Sequence, residues 1–215
     1  MEPKPGQFMM KTNYKYVEEL INRYPNLKDI KDDIIESIDL LIKMYKNGGK
    51  LLICGNGGSA SDSQHIVGEL MKSFIKKRSL PEDLKLKIND DEISDKLEMG
   101  LPAISLMSEL AFQTAFQNDK EPKLSFAQGV LSLGKSGDTL LCISTSGNSK
   151  NCVYAAKVAK AINLNVISLT GAKDSLLKEL SNITIKAPEY ETYKIQELHL
   201  PIYHAICLEL EDEFF

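Results

Sequence analysis

Short runs of apolar residues alternate with longer segments of helical periodicity along most of this chain. The clearest runs lie within residues 50–54, 138–143 and 166–169, and each is followed by apolar residues at helical spacing. A strand that is apolar on both faces must be covered on both faces, which is typical of a parallel sheet between two layers of helices. We therefore predict an α/β fold, a three-layer αβα sandwich with a central parallel sheet.

The length and the periodicity together predict a single domain over residues 1–215. With 215 residues, 43% of them hydrophobic, the chain can build one sizeable core. Helical spacing over 14–24 and 27–47 predicts N-terminal helices within residues 1–49, ahead of the sheet. Residues 76–100 are rich in Lys, Asp and Glu, so we predict a charged, partly helical insertion on the surface.

The bulk properties exclude several classes of protein. A formal charge of -4 argues against a nucleic-acid partner, and no stretch of about 18 apolar residues predicts a membrane span. Residues 1–6 lack the apolar segment of a signal peptide, and the cysteines show no CxxC spacing. We predict a cytoplasmic protein with reduced, buried cysteines.

A glycine-rich turn follows the first predicted strand, and a helix follows the turn. The turn consists of Gly55, Asn56, Gly57, Gly58 and Ser59. Glycines expose backbone N–H groups at the start of a helix, where anions bind. His65 and Glu69 are four residues apart on that helix and share one face. The pattern favours a small phosphorylated substrate and proton-transfer or metal chemistry, whereas in isolation the two side chains would be an exposed surface pair.

A second polar turn, at residues 144–149, follows the strand at 138–143. It contains Ser144, Thr145, Ser146, Gly147, Asn148 and Ser149. Hydroxyls and free N–H groups at a helix N-terminus suit a phosphate group. The alternative is that these side chains only cap the helix and shape the turn.

The last predicted helix, at 192–211, carries polar residues among apolar ones. Gln196 and Glu197 are polar positions that need partners if they are buried, so this helix is a candidate second half of the site. His204 is either part of that site or a buried histidine with a structural hydrogen bond. Pro201 lacks an N–H and predicts a kink.

These motifs, in this order, resemble the sugar isomerase (SIS) domain family, and within it the phosphoheptose isomerase branch. The likeness extends over nearly the whole chain. It implies conversion of sedoheptulose 7-phosphate to D-glycero-D-manno-heptose 7-phosphate through an enediol, in the biosynthesis of nucleotide-activated heptose. It also implies a homotetramer with active sites at subunit interfaces, where residues 1–49 would pack.

The resemblance also implies roles for individual residues. Glu69 and His204 match the catalytic acid/base pair, and one zinc ion per subunit is implied at His65, Glu69, Gln196 and His204. Substrate-binding positions are implied at Asn56, Gly57, Gly58, Glu69, Asn118, Asp119, Ser144, Thr145, Ser146, Ser149 and Gln196.

Some features depart from the family pattern, and other functions stay open. The 76–99 segment is longer than the family connection, no arginine occurs near Lys72 or Ser73, and Lys194 stands in place of an arginine. Gln196 and His204 lie about 12 Å apart along one helix, so a shared ion would need two subunits or a kink. The alternatives are a non-catalytic tetramer that serves as a scaffold for the DnaA initiator, and an isomerase or sensor for a related sugar phosphate.

Overall fold

A computed structural model describes residues 13–215, and one five-stranded parallel sheet lies at its centre. In chain order the strands are β1 (Leu51–Gly55), β2 (Ala103–Ser105), β3 (Thr139–Ile143), β4 (Asn165–Thr170) and β5 (Ile183–Lys186). The predicted α/β sandwich with N-terminal helices is confirmed. The expectation about residues 1–6 lies outside the described part of the chain.

Ten α-helices and two short 3₁₀ helices occur within the described residues. The helices are α1 (Lys15–Arg23), α2 (Lys31–Lys46), α3 (Gly58–Met71), α4 (Glu82–Ile88), α5 (Asp91–Ser94), α6 (Leu110–Asp119), α7 (Ser125–Leu133), α8 (Lys150–Ala161), α9 (Leu176–Leu180) and α10 (Thr192–Phe214), with 3₁₀ helices at Pro25–Ile30 and Pro122–Leu124. None of these helices, within residues 13–215, is long and apolar enough to cross a membrane.

Alternating side chains of the central strands build two cores, one on each face of the sheet. Leu51 and Ile53 of β1 pack with apolar residues of α1, α2, α3 and α10. Leu52 and Cys54 face the opposite layer, which includes α7 and α8. A strand places successive side chains on opposite faces, so an uninterrupted apolar run supplies both cores at once. Burial on both faces thus explains why these strands are continuous apolar runs, the feature from which the sandwich was predicted.

The strand order is β2-β1-β3-β4-β5. The chain adds β2 on one side of β1 and all later strands on the other side, so the order of addition reverses between β1 and β3. In open α/β sheets a ligand crevice forms at such a reversal, outside the carboxyl ends of the strands. Residues 55–59 leave β1 and residues 144–149 leave β3, so both polar turns lie at this place.

Local structure differs from the sequence prediction at several points. The helix predicted over 27–47 is divided into a 3₁₀ helix at Pro25–Ile30 and α2. The long final helix is confirmed as α10, which runs from Thr192 to Phe214, three residues beyond the predicted end, with Pro201 inside it. The charged segment is partly helical, as predicted, because it contains α4 and α5, but its Arg78 is fully buried. All four cysteines are buried and free, as predicted.

Candidate active site

The glycine-rich turn between β1 and α3 lets α10 approach the backbone closely. Gly57 has φ +57°, a conformation that favours glycine. A Cβ at Gly58 would lie 2.7 Å from Nε2 of Gln196, so no larger residue fits there without displacing this amide. The close approach places the Gln196 side chain at the N-terminus of α3.

Two to three turns further along α3, His65 and Glu69 come together with His204 of α10. His65 Nε2 lies 3.2 Å from Glu69 Oε1, and the His65 and His204 rings lie 5.0 Å apart and nearly perpendicular. Lys72 Nζ lies 3.2 Å from the other Glu69 oxygen. Nε2 of His204 is buried and has no hydrogen-bond partner among the described residues. Burial lowers the pKa of His204, and nearby His65 lowers it further. Both effects favour the neutral form of the His204 imidazole.

Two further residues contact the histidines, and neither is among the residues predicted from the sequence. The Tyr203 hydroxyl lies 3.0 Å from His65 Nδ1 and 3.2 Å from Asp62 Oδ1. Phe74 packs its ring edge against His204 at 5.4 Å. Asp62, which joins this contact through Tyr203, was also not predicted. It precedes His65 by three residues on α3, and this spacing, which places both on one helix face, could have indicated it.

The structure separates Gln196 from His204. Gln196 contacts Gly58 at the start of α3, whereas His204 contacts His65 in the middle of that helix. Their eight-residue spacing on α10 corresponds to about 12 Å. An ion that binds both Gln196 and His204 would therefore need a second subunit, and the implied zinc site stays a prediction.

The remaining donors only partly suit a metal ion. Zinc binds imidazole nitrogens and carboxylate oxygens, and the unpaired Nε2 of His204 is a free donor of that kind. In residues 13–215, however, no three His, Cys, Asp or Glu side chains are grouped to hold a metal ion. The donor chemistry fits zinc, but one chain does not by itself present a complete set of ligands.

The serine-rich turn after β3 is held by its own hydrogen bonds and joined to the glycine turn. Ser144 Oγ donates to Ser149 Oγ at 3.0 Å, and Gly147 has φ +62°. The amides of Asn56 and Asn151 exchange two hydrogen bonds, of 3.0 and 2.8 Å. This amide pair ties the turn after β1 to the start of α8, so the two polar turns form one continuous rim.

A polar cavity opens beside the serine turn, where three loops meet. Its lining includes residues that the sequence analysis did not predict, such as Lys173, Glu189 and Tyr190, next to Thr145 and Ser146. Lys173 is an exposed cation at this wall, which suits an anionic ligand. These positions lie on loops without a motif of their own, so only the fold reveals them.

Asn118 and Asp119 lie at the end of α6, and Asn118 Nδ2 donates a hydrogen bond of 2.9 Å to Asp119 Oδ1. Both are exposed. Within residues 13–215, no hydrogen bond links either one to the two polar turns or to the histidines. Their substrate contact stays a prediction.

His199, on α10, ties that helix to the end of β4. Its Nε2 donates to the carbonyl oxygen of Thr170 at 3.2 Å, and the side chain is fully buried. Burial lowers the pKa of His199 from 6.5 to about 4. The folded chain therefore holds this imidazole neutral. It lies against Thr170, next to Gly171, which lines the polar cavity.

We expect this burial to make folding stability depend on pH. Because the folded pKa is depressed, the stabilisation is complete above pH 6.5 and is lost as the pH falls towards 4. His199→Gln keeps a donor for Thr170 and cannot titrate. Relative to this variant, the wild-type free energy of unfolding should fall by about 2 kcal/mol between pH 7 and pH 5. Urea unfolding in EDTA at pH 7 and at pH 5 measures the free energy of unfolding of both proteins. The same change with pH in the wild type and in His199→Gln would refute the prediction.

Comparison with known proteins places this geometry in a family. Residues 15–99 and 94–171 match the SIS domain model. The phosphoheptose isomerase of Helicobacter pylori (strain ATCC 700392 / 26695) is 36% identical over 189 residues, 88% of each chain. That of Crocosphaera subtropica is 38% identical over 179 residues, 83% of this chain and 81% of the relative.

Solved structures agree with the sequence relatives. A phosphoheptose isomerase from Francisella tularensis superposes with a TM-score of 0.75 at 30% identity, covering 92% of this chain and 95% of that one. The Neisseria gonorrhoeae phosphoheptose isomerase gives 0.73 at 29% identity, with 91% and 94% covered. The chain therefore belongs to the SIS-domain family and, within it, to the phosphoheptose isomerases.

Proposed function

We propose that this chain is an aldose–ketose isomerase that converts sedoheptulose 7-phosphate to D-glycero-D-manno-heptose 7-phosphate, in the cytoplasm, for the biosynthesis of nucleotide-activated heptose. One observation carries the proposal above the others. Glu69 and His204, a carboxylate and an imidazole, lie together with His65 where α3 packs on α10. Membership of the phosphoheptose isomerases supports the choice of substrate.

The residues suit the reaction in the following way. Interconversion of a 2-ketose and an aldose moves a proton between C1 and C2 through an enediol, which needs a base for the carbon proton and an acid for the oxygen. Glu69 takes and returns the carbon proton, and His204 exchanges the proton at oxygen. The phosphate binds at Ser144, Thr145, Ser146 and Ser149, and Phe74 packs against the His204 ring and shields it from water.

We propose zinc as the cofactor, held by His65, Glu69, Gln196 and His204, with these ligands drawn from more than one subunit. When bound, it would act as a Lewis acid that stabilises negative charge developing on the substrate oxygens. Gln196, on the Gly58 side, would serve a site completed by another subunit. Metal analysis of the purified protein, before and after EDTA, tests the cofactor.

The separation of Gln196 from His204 within one chain also supports a homotetramer with active sites at subunit interfaces. The α1 helix packs on α10 within the chain, and a groove between them is lined by Tyr16, Arg23 and His204. A site that needs both Gln196 and His204 is incomplete in one copy. Mixing an inactive Gln196 variant with an inactive His204 variant should restore part of the activity, because some interfaces then combine the intact residues. Light scattering gives the subunit number.

Ser146→Ala is expected to raise the KM for the phosphorylated sugar roughly 10- to 100-fold with little change in kcat, because a hydrogen bond to a charged group contributes about 1.5–3 kcal/mol. Ser146 is exposed and lines the polar cavity, so its removal should not disturb the core. Ser132→Ala, on the exposed face of α7, is the matched control. A KM equal to that of the control would remove Ser146 from phosphate binding.

Incubation of the zinc-loaded protein with sedoheptulose 7-phosphate tests the function. Proton NMR should show the anomeric signals of the aldose appearing in proportion to enzyme concentration. No conversion of this sugar but conversion of another ketose phosphate would assign a related substrate. No conversion of any sugar phosphate, together with capture of the DnaA initiator by the folded protein, would assign the scaffold function instead.

A further inference from the structure

The loop that follows β4 is fastened to the serine-rich turn at both of its ends. At the first end, the backbone N–H of Gly171 donates to the carbonyl oxygen of Thr145 at 3.0 Å. At the other end, the backbone N–H of Leu177 donates to the carbonyl oxygen of Gly147 at 3.1 Å. Lys173 lies between these two anchors. Its backbone is therefore held beside the turn that is proposed to bind phosphate.

The middle of the loop is also in close contact with its surroundings. A Cβ at Gly147 would lie 2.2 Å from Ser175 Oγ, so no space is left between the loop and the turn at this point. On its other side, the loop is joined to the chain after β5, because the backbone N–H of Ala172 donates to the carbonyl oxygen of Glu189 at 3.0 Å. The loop thus forms a fixed wall of the polar cavity.

This cavity has the size of a site for a small molecule. Its volume is about 370 Å³, within the range that is usual for ligand pockets. Thr145 and Ser146 line it from the turn, and Lys173 lines it from the loop. Lys173 is the one cation among the described residues that line the cavity. The hydroxyls of the turn can donate hydrogen bonds to a phosphate but carry no charge, so only this lysine brings a positive charge to the wall.

The charge of Lys173 is not compensated by a neighbouring carboxylate. The side chain of Asp174 pairs instead with Lys178 and Lys186, at 2.8 and 3.0 Å. Glu189 also lines the cavity, but within residues 13–215 it forms no ion pair with Lys173. Lys173 is exposed and has no ion pair with any other residue of that range. An unpaired lysine on the wall of a cavity is available to an anionic ligand.

We propose that Lys173 is a substrate-binding residue, whose ammonium group pairs with the sugar phosphate that the hydroxyls of Thr145 and Ser146 bind. The pair adds a charge-assisted contact to the neutral hydrogen bonds of the turn. It also makes the site favour phosphorylated sugars over uncharged ones. The identity of the sugar rests on the proposed function, whereas the binding of phosphate at Lys173 does not depend on turnover.

Calorimetric titration of the purified protein with inorganic phosphate tests this contact without turnover. Lys173→Met should weaken binding roughly 10-fold, the usual effect of losing a hydrogen bond to a charged group. Lys173→Arg keeps the cation and should stay within about threefold of the wild type.

Lys135→Met is the matched control for the titration. Lys135 is likewise exposed and without an ion pair in residues 13–215, but it precedes β3 and so lies at the opposite edge of the sheet from the turn. Its substitution should leave phosphate binding unchanged. A Lys173→Met protein that binds phosphate as tightly as the Lys135→Met protein would overturn the proposal, and so would a wild type that does not bind phosphate.

Kinetics with sedoheptulose 7-phosphate supply the second readout. Lys173→Met should raise KM roughly 10-fold and leave kcat within about twofold, because the contact with phosphate is the same before and during the reaction. Lys173→Arg should recover most of this loss. An unchanged KM in Lys173→Met, or equal losses in the two variants, would contradict the proposal. If the wild type itself converts no sugar, the proposed function fails while the phosphate titration still decides the role of Lys173.

Discussion

Glu69→Gln should lower kcat for isomerisation by roughly 10²- to 10⁴-fold, the contribution that a positioned acid or base makes to proton transfer. Glutamine has nearly the shape of glutamate but cannot accept the carbon-bound proton. Glu69 lies on α3 beside His65 and Lys72, and neither contact builds the core. The variant should therefore fold normally and still bind the sugar phosphate, so that the loss appears in kcat and hardly in KM.

Glu92→Gln is the matched control for this experiment. Glu92 forms an exposed ion pair with Lys96 on the insertion, and its substitution should leave both kinetic constants unchanged. Circular dichroism and light scattering of both variants establish that fold and assembly are intact. If Glu69→Gln kept more than about a tenth of the wild-type kcat, Glu69 would not be the base.

Arg78→Met should have the largest effect on stability, a loss of about 3–5 kcal/mol, because it leaves a buried carboxylate without its cation. Arg78 and Glu211 are fully buried and pair at 2.9 Å. The guanidinium also donates to the carbonyls of Glu69 and Leu70, at 3.0 and 2.6 Å. The backbone around the proposed base is thus held by this one side chain.

Glu211, on α10, also binds the backbone of residues 74–76. It accepts hydrogen bonds from the backbone amides of Phe74, Ile75 and Lys76, between 2.8 and 3.1 Å. Burial alone would raise the pKa of Glu211, but these amides and Arg78 outweigh it and hold the pKa below its usual value. Loss of Arg78 should therefore loosen the segment that brings Phe74 against His204.

Urea unfolding at fixed protein concentration measures this loss. Arg23→Met is the control, since Arg23 forms an exposed pair with Glu19 whose contribution is under about 1 kcal/mol. An Arg78→Met protein as stable as the Arg23→Met protein would show that the buried pair does not hold this region together.

The fold could be predicted because its strongest determinant is local. The apolar runs of β1, β3 and β4 occupy both faces of their strands, and only a covered parallel sheet buries both. The two polar turns could be predicted for the same reason, since each follows such a run. Strand order and the loops at Lys173 and Tyr190 depend on tertiary packing, which no local pattern encodes.

Two structural residues of the site region could not be predicted, because their sequence surroundings suggested other roles. Arg78 lies in a charged stretch that is typical of a solvated surface, yet the Glu211 carboxylate, 133 residues away, allows its burial. Tyr203 looks like one more apolar position of α10, and only the packing of α10 on α3 brings its hydroxyl to Asp62 and His65. Gln196 lies against Gly58, and its grouping with His204 at one metal ion stays a prediction.

A crystal structure of the Glu69→Gln protein with sedoheptulose 7-phosphate tests the central claim most directly. We predict the phosphate at residues 144–149, with C1 and C2 of the sugar facing residue 69 and His204. A phosphate bound elsewhere, or a sugar whose C1 and C2 lie away from these two side chains, would contradict the proposed site.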